Sequence, residues 1–239
     1  MKTQDSVALV TGANRGLGLA FARALLAGGA RKVYAAARDP ASVNLAGVQP
    51  IRLDVTKPAE IDKVAGELGD VALLVNNAGV LRGSGFLATD GVAALRAELD
   101  TNFFGPLLLS RAFAPILAKN GGGAIVNVLS ALSWVSFPTS STYSASKAAA
   151  WSLSNGLRNE LRGQGTQVLA LHVGYMDTDM VRHVAAPKAQ PDDVVRQTLE
   201  ALEAGKSEVL ADEASRRVKV GLAADPGVYL APPAVPAPA

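Results

Sequence analysis

The fold turns on residues 7–18, in which a short apolar run, Val7-Ala8-Leu9-Val10, leads directly into Thr11-Gly12-Ala13-Asn14-Arg15-Gly16-Leu17-Gly18. The run reads as a buried strand, and the pattern from Leu17 to Ala27, ended by Gly28-Gly29, reads as a helix. Between them Gly12 permits a tight turn, Gly16 lets backbone approach a pyrophosphate, and Gly18 allows close helix–strand packing. The helix that follows points free N–H groups at an anion. The spacing is G-x₃-G-x-G and not G-x-G-x-x-G, so the cluster alone is also compatible with a plain turn. The strand before it and the helix after it favour the phosphate reading.

Outward from this unit, Val33–Ala36, Val48–Leu53, Val71–Val75, Ala124–Leu129, Val168–Val173 and Glu208–Leu210 read as further strands. Helical patterns fill the gaps, one opened by Pro58 and long ones near Glu98–Lys119 and Tyr143–Arg162. The alternation predicts an α/β fold: one Rossmann-like, doubly wound sheet of about seven parallel strands with helices on both faces. Ligands then gather beyond the carboxyl ends of the strands, where the strand order reverses. With no repeat and no linker before residue 220, one domain is expected over residues 1–230. The tail 231–239 is too rich in proline to continue a helix and is expected to be extended or frayed.

Composition narrows the function. Of 239 residues, 49% are hydrophobic and 18% charged, the balance of an ordinary globular protein. Lys+Arg 23 against Asp+Glu 21 leaves +2, too little to build a phosphate-neutralising stripe, so no nucleic-acid partner is expected. The absence of cysteine excludes disulfides, thiolate zinc sites, iron–sulfur clusters and cysteine nucleophiles. With His172 and His183 the only histidines, no metal site is expected, and His183 is given no role. No stretch supplies the ~18 consecutive apolar residues of a spanning helix, which points away from the membrane and to a cytoplasmic protein.

A Rossmann site for NAD usually carries an acidic residue about 20 residues beyond the glycine turn, to accept from the ribose 2′-OH. Here Arg38 follows the second strand and Arg15 lies in the turn itself, so two guanidinium groups flank the place of a 2′-phosphate. NADP (NADPH) is therefore expected. Asp39 is the competing residue, since one position later it could still reach a ribose, and both arginines have a plain reading as solvated surface.

Tyr143-Ser-Ala-Ser-Lys147 sets a phenol and an ammonium four residues apart, on one helix face. By chance alone such a pair arises about one time in seven among four tyrosines and nine lysines in 239 positions, so position decides its value. Ser130 lies 13 residues earlier, at the end of a strand, where a doubly wound sheet keeps its ligands.

With these residues in order, the chain resembles the short-chain dehydrogenase/reductase family, of the carbonyl reductase-like kind with a Thr-Gly-x₃-Gly-x-Gly turn. The resemblance runs from residue 7 to about 180 and rests on Thr11–Gly18, Asp54-Val55, Asn76-Asn77-Ala78-Gly79, Asn102, Ser130, Tyr143 with Lys147, and Gly174-x₃-Thr178. It implies an oxidoreductase moving hydride between NADP(H) and a ketone, aldehyde or secondary alcohol. Tyr143 would be the general acid or base and Ser130 the donor to the substrate oxygen. Lys147 would lower the tyrosine pKa and hold the nicotinamide ribose, and Asn102 would help hold a water chain to Lys147. Gly12, Asn14, Arg15, Gly16, Leu17, Gly18 and Arg38 would cradle the dinucleotide, and Asp54 and Val55 would meet the adenine. Asn76, Ala78 and Gly79 would line the cleft, with Gly174 and Thr178 at the nicotinamide.

The same resemblance puts Leu81, Ser133, Trp134, Phe137, Tyr175, Met176, Met180 and Val181 around the substrate with Ser130, which implies a hydrophobic carbonyl. Trp134 and Phe137 equally fit a role capping the core. Two departures stand out: Leu129 where a serine is common, and Val173 where a proline usually fixes φ before Gly174. A homo-oligomer, dimer or tetramer, is implied. The alternative function is a dinucleotide-binding, redox-sensing regulator without turnover, against which the joint presence of Asn102, Ser130, Tyr143 and Lys147 argues.

Overall fold

The computed structural model describes residues 1–182 and 184–230; the tail expected to be extended, and His183, lie outside the described residues. Seven strands, β1 (Val7–Thr11), β2 (Lys32–Ala37), β3 (Gln49–Arg52), β4 (Leu73–Asn76), β5 (Ala124–Val128), β6 (Gln167–His172) and β7 (Glu208–Leu210), form one sheet in the order β3-β2-β1-β4-β5-β6-β7. Every pairing is parallel. The doubly wound sheet expected from the sequence is present.

Alternation along each strand explains the two layers. Ala8, Val10, Leu73, Val75, Val126, Leu169 and Leu171 face one side, where they pack with Leu17, Phe21 and Leu25 of α1 (Gly16–Ala27) and Val194, Val195 and Leu202 of α6 (Pro191–Glu203). Val7, Leu9, Leu74, Ile125 and Val168 face the other side. There they meet α2 (Pro58–Glu67), α4 (Gly105–Lys119) and α5 (Ser141–Glu160) through Ile61, Val64, Leu109, Phe113 and Leu157. Both faces of the central strands are covered, so these strands carry near-continuous apolar runs, while the edge strand β3 is largely exposed.

The expected helix over residues 98–119 is divided. α3 (Gly91–Leu99) gives way to a π-helical turn at Asp100–Phe104 before α4 begins. Asn102, whose side chain bonds to other elements as described below, lies in this turn. α7 (Glu213–Gly221) completes the described helices, with Asp212 as its N-cap. Among the described residues no helix is long and apolar enough to cross a membrane.

Candidate active site

β1 lies between β2 and β4, so strand order reverses beside it and the ends of β1 and β4 open a crevice there. Thr11 ties the two ends together: its Oγ1 donates to the Val75 carbonyl (3.2 Å) and accepts from the N–H groups of Asn77 and Ala78 (both 3.0 Å). Asn77 then fastens the glycine turn, its Nδ2 donating to the Thr11 carbonyl at 2.8 Å and the Gly12 carbonyl at 3.3 Å. Sequence reading gave Asn77 no assignment. Asn76, expected in the cleft, instead turns into the core, 3% exposed, where its Nδ2 donates to Asn127 Oδ1 at 2.8 Å. Adjacent residues at a strand end face opposite sides, so only one of the pair can look outward.

The turn needs its glycines. Gly12 and Gly16 have φ of +65° and +54°, in the region that disfavours side chains. A Cβ at Gly18 would lie 2.5 Å from Asn77 Nδ2 and inside contact distance of the Gly12 carbonyl. Arg15 stands at the N-cap of α1 without a side-chain cap bond, and no acidic residue occupies the first turn. This backbone-lined cradle, with no side-chain cap and no acidic residue in the first helical turn, fits a pyrophosphate. Leu17 is buried in the core and can serve such a ligand only through its backbone. Asn14 and Ala78 are half-buried beside the turn.

Arg38 is exposed just past β2, and its charge helps hold the Asp54 carboxyl below its ordinary range, with the hydrogen bonds from Thr56 acting the same way against desolvation. Asp39 is committed elsewhere: its Oδ1 accepts from the Ala41 N–H at 3.0 Å and caps the short 3₁₀ turn Pro40–Ser42. Arg15 pairs with Asp179 at 3.3 Å. Val55 is buried against Gly105, at the start of α4.

At the ends of β5 and α5 the second half of the site assembles. Ser130 is 7% exposed, and its Oγ accepts from the Leu132 N–H at 3.1 Å. Lys147 is 5% exposed, with Nζ donating to the Val128 carbonyl at 2.8 Å and lying 5.6 Å from the Tyr143 ring centroid. Asn102 clasps Val80 through both its N–H and its carbonyl (2.9 Å each) and donates to Ser146 Oγ at 2.9 Å. A Cβ at Gly79 would come within 3.3 Å of Asn102 Oδ1 and 3.8 Å of Lys147 Nζ. Gly79, Asn102 and Lys147 thus converge.

Electrostatics correct one expectation. The tyrosine pKa is raised, not lowered: desolvation around the hydroxyl leads, the negative charge of Glu98 adds to it, and a hydrogen bond with Ser130 only partly offsets them. Tyr143 as a residue is half-buried. Burial brings Lys147 down to about 8. At neutral pH the phenol therefore keeps its proton, and Lys147 remains mostly cationic beside it.

The segment after β6 lies against the glycine turn, with Thr178 Cγ2 3.3 Å from where a Gly16 Cβ would stand. Gly174 donates its N–H to Asp212 Oδ2 at 2.7 Å, and a Cβ there would strike the same oxygen at 2.8 Å. Asp212 and the bond from Ala131 N–H to the Val173 carbonyl (3.1 Å) anchor the backbone that a proline would otherwise have stiffened. Among the expected substrate walls, Tyr175 and Met180 are exposed, and Met176 packs against the α1/α6 core. Trp134, half-buried, stacks its ring on His172 and meets Trp151 edge-on, an arrangement that fits the core-capping reading.

A model of the family described as short chain dehydrogenase matches residues 6–189, and the chain belongs to the short-chain dehydrogenase/reductase family, oxidoreductases that bind a nicotinamide dinucleotide. A short chain dehydrogenase from Burkholderia cenocepacia J2315, solved in complex with NADP, is 41% identical with a TM-score of 0.91, over 95% of this chain and 96% of that one. A short chain dehydrogenase/reductase from Burkholderia phymatum, solved in complex with NAD, is 26% identical with a TM-score of 0.83, over 92% and 94%. The galactitol 2-dehydrogenase (L-tagatose-forming) of Cereibacter sphaeroides is 39% identical over 190 residues, 75% of this chain and 74% of that relative.

Proposed function

We propose that this protein is an NADP(H)-dependent reductase or dehydrogenase interconverting ketones or aldehydes with alcohols. The observation that carries the reading is the convergence of Tyr143, Ser130, Lys147 and Asn102 beside Gly79 at the reversal of strand order. A nicotinamide dinucleotide held by the Gly12–Gly18 turn and by Lys147 would supply or accept the hydride there.

The chain's residues supply the proton and the orientation. Tyr143, kept as a neutral phenol by burial and Glu98, gives its hydroxyl proton to the substrate oxygen as that oxygen gains charge in reduction. Ser130 donates to the same oxygen, as an oxyanion donor. Lys147 is close enough to stabilise the phenolate left on Tyr143, and its pKa near 8 keeps it mostly cationic at neutral pH. Asn102 anchors Val80 and Ser146, which fixes the strap of backbone beside Lys147.

The preference for NADP is supported by three side chains: Arg38 has no acidic partner within ion-pair distance among the described residues, Asp39 is consumed as a cap, and Arg15 lies in the turn. The NADP complex of the Burkholderia cenocepacia relative agrees with it. One domain over residues 1–230, a hydrophobic small-molecule substrate, a homo-oligomeric state and a cytoplasmic location belong to the same reading. The test is NADPH oxidation by purified protein against a panel of ketones and aldehydes, with Tyr143→Phe as control. Turnover that the variant loses supports the proposal; NADPH binding without turnover across the panel would favour the sensing alternative.

A further inference from the structure

A fully buried histidine at the end of β6 has no part in the chemistry above. His172 is 0% exposed and is enclosed by groups from several elements. Its Nδ1 lies 3.1 Å from the Ser130 carbonyl oxygen. Its Nε2 has no hydrogen-bond partner and stands 3.7 Å from Glu208 Oε1 on β7. The Trp134 ring stacks on the imidazole with centroids 3.8 Å apart and planes 18° apart, and Trp151 of α5 meets that indole edge-on at 6.2 Å. Lys219 of α7 completes the cluster, 2.9 Å from Glu208 Oε1 and 4.8 Å from the Trp134 centroid.

An imidazole whose one short polar contact is a carbonyl oxygen presents an N–H there. Glu208 is outside hydrogen-bond reach of Nε2 and is already engaged by Lys219. Of the charges around the ring, Glu208 favours a second proton, while Lys219 and Lys147 join desolvation in opposing it and bring the pKa down to about 4. The ring therefore carries one proton at neutral pH, on Nδ1.

On the Ser130 side the bonds are mostly internal to one turn. Ser130 N–H donates to Ser133 Oγ (3.3 Å), Ser130 Oγ accepts from Leu132 N–H, and the Ser130 carbonyl accepts from Ser133 N–H (3.0 Å). His172 is the side chain that reaches this turn from the neighbouring strand, with the Ala131–Val173 main-chain bond beside it. Main-chain bonds from Leu129 N–H to the Leu171 carbonyl (2.7 Å) and from Ala131 N–H to the Val173 carbonyl (3.1 Å) hold the chain on either side of Ser130, and His172 adds the side-chain contact to the Ser130 carbonyl itself.

We propose that His172 is a positioning residue for the Ser130 hydroxyl: its Nδ1–H holds the Ser130 carbonyl, and the stacked Trp134 ring holds the imidazole in that orientation. The proposal rests on the reading of Ser130 as donor to the substrate oxygen. A donor displaced by about an ångström loses much of its effect, so His172→Phe should lower kcat roughly 10- to 100-fold and leave NADPH affinity within about twofold. His172→Asn places an amide N–H where Nδ1 stood and should recover most of the loss. In a Ser130→Ala background, His172→Phe should cost nothing more.

Losses that add in that background, or an Asn variant no better than Phe, would overturn the proposal while leaving the role of Ser130 intact. Full turnover by Ser130→Ala would overturn the reading of Ser130 and the proposal with it. A measurement without any variant at position 172 guards against misfolding: ¹⁵N-histidine spectra of the unliganded protein at pH 7, with His183→Gln to assign the two rings. A neutral His172 protonated at Nδ1 is expected, and an Nε2–H tautomer or an imidazolium would refute the bond.

Discussion

Replacing Arg38 by aspartate should reverse the cofactor preference, and the surroundings of this arginine set the size of the effect. Arg38 is exposed at the end of β2, beside Asp54 and one residue before an aspartate whose carboxylate is occupied as a cap. Arg15, the other candidate for a 2′-phosphate, already pairs with Asp179 at 3.3 Å, so Arg38 carries most of the selectivity. A charge-assisted hydrogen bond from guanidinium to phosphate contributes about 1.5–3 kcal/mol, and its loss should weaken NADPH binding roughly 10- to 150-fold. The new carboxylate joins Asp39 and Asp54 on the same edge and adds repulsion toward the phosphate. NADH lacks that phosphate, and Asp at position 38 can accept from its free ribose hydroxyl, so NADH affinity should hold or improve. Titration of both cofactors into wild type and Arg38→Asp, by fluorescence or calorimetry at fixed ionic strength, measures the reversal. A wild type that already prefers NADH, or a variant that keeps its preference for NADPH, would refute the reasoning.

Tyr143→Phe should remove nearly all turnover with NADPH binding unchanged, because the ring stays and only the proton donor goes; substantial residual reduction would sink the assignment. Lys147→Ala should depress both turnover and cofactor affinity, and equal affinity before and after would contradict a ribose contact. Gly18→Ala drives a methyl group into Gly12 and Asn77, so a loss of about 1–3 kcal/mol is expected, read as a fall in Tm of roughly 2–4 °C for each kcal/mol. His172, at about 4 when folded and near 6.5 when unfolded, makes the unfolded chain the stronger proton binder across that window. Its contribution is complete above pH 6.5 and is lost as pH falls toward 4, about 3 kcal/mol at most. Urea midpoints from pH 7 to 4 should show this decline in wild type and a flatter one in His172→Asn. Lys147 acts in another window, with stability rising as pH climbs from about 8 to 10.5.

Periodicity and turn chemistry carried the sheet. The central strands were legible because each is a short apolar run bounded by glycine, proline or polar residues, and burial on both faces leaves no other use for such runs, whereas the edge strand β3, Gln49–Arg52, is largely exposed. The glycine turn was legible for a related reason: backbone at φ near +60° and a helix packed hard on a strand admit only glycine. Tyr143, Lys147 and Ser130 could be singled out from helical spacing and a strand end.

Other features depend on partners remote in sequence. The π-helical turn at Asp100–Phe104 holds Asn102, whose partners Val80 and Ser146 lie 22 and 44 residues away, contacts that no local propensity contains. Asn76 and Asn77 look alike in sequence, yet one is sealed against Asn127 and the other holds Gly12, because successive strand residues point to opposite faces. The direction of the Tyr143 shift was misread from its neighbour Lys147 because a pKa answers to desolvation and to Glu98 as well as to a nearby ammonium, and both are set by how α3 and α5 pack. His172 and Trp134 lie 38 residues apart and become a stacked pair only because β5 and β6 are adjacent in the sheet. The sequence by itself determined the layers and the cradle, where each requirement falls on one residue and its immediate neighbours; tertiary structure alone decided which polar side chains are spent holding the site, because that depends on what the opposite strand or helix presents.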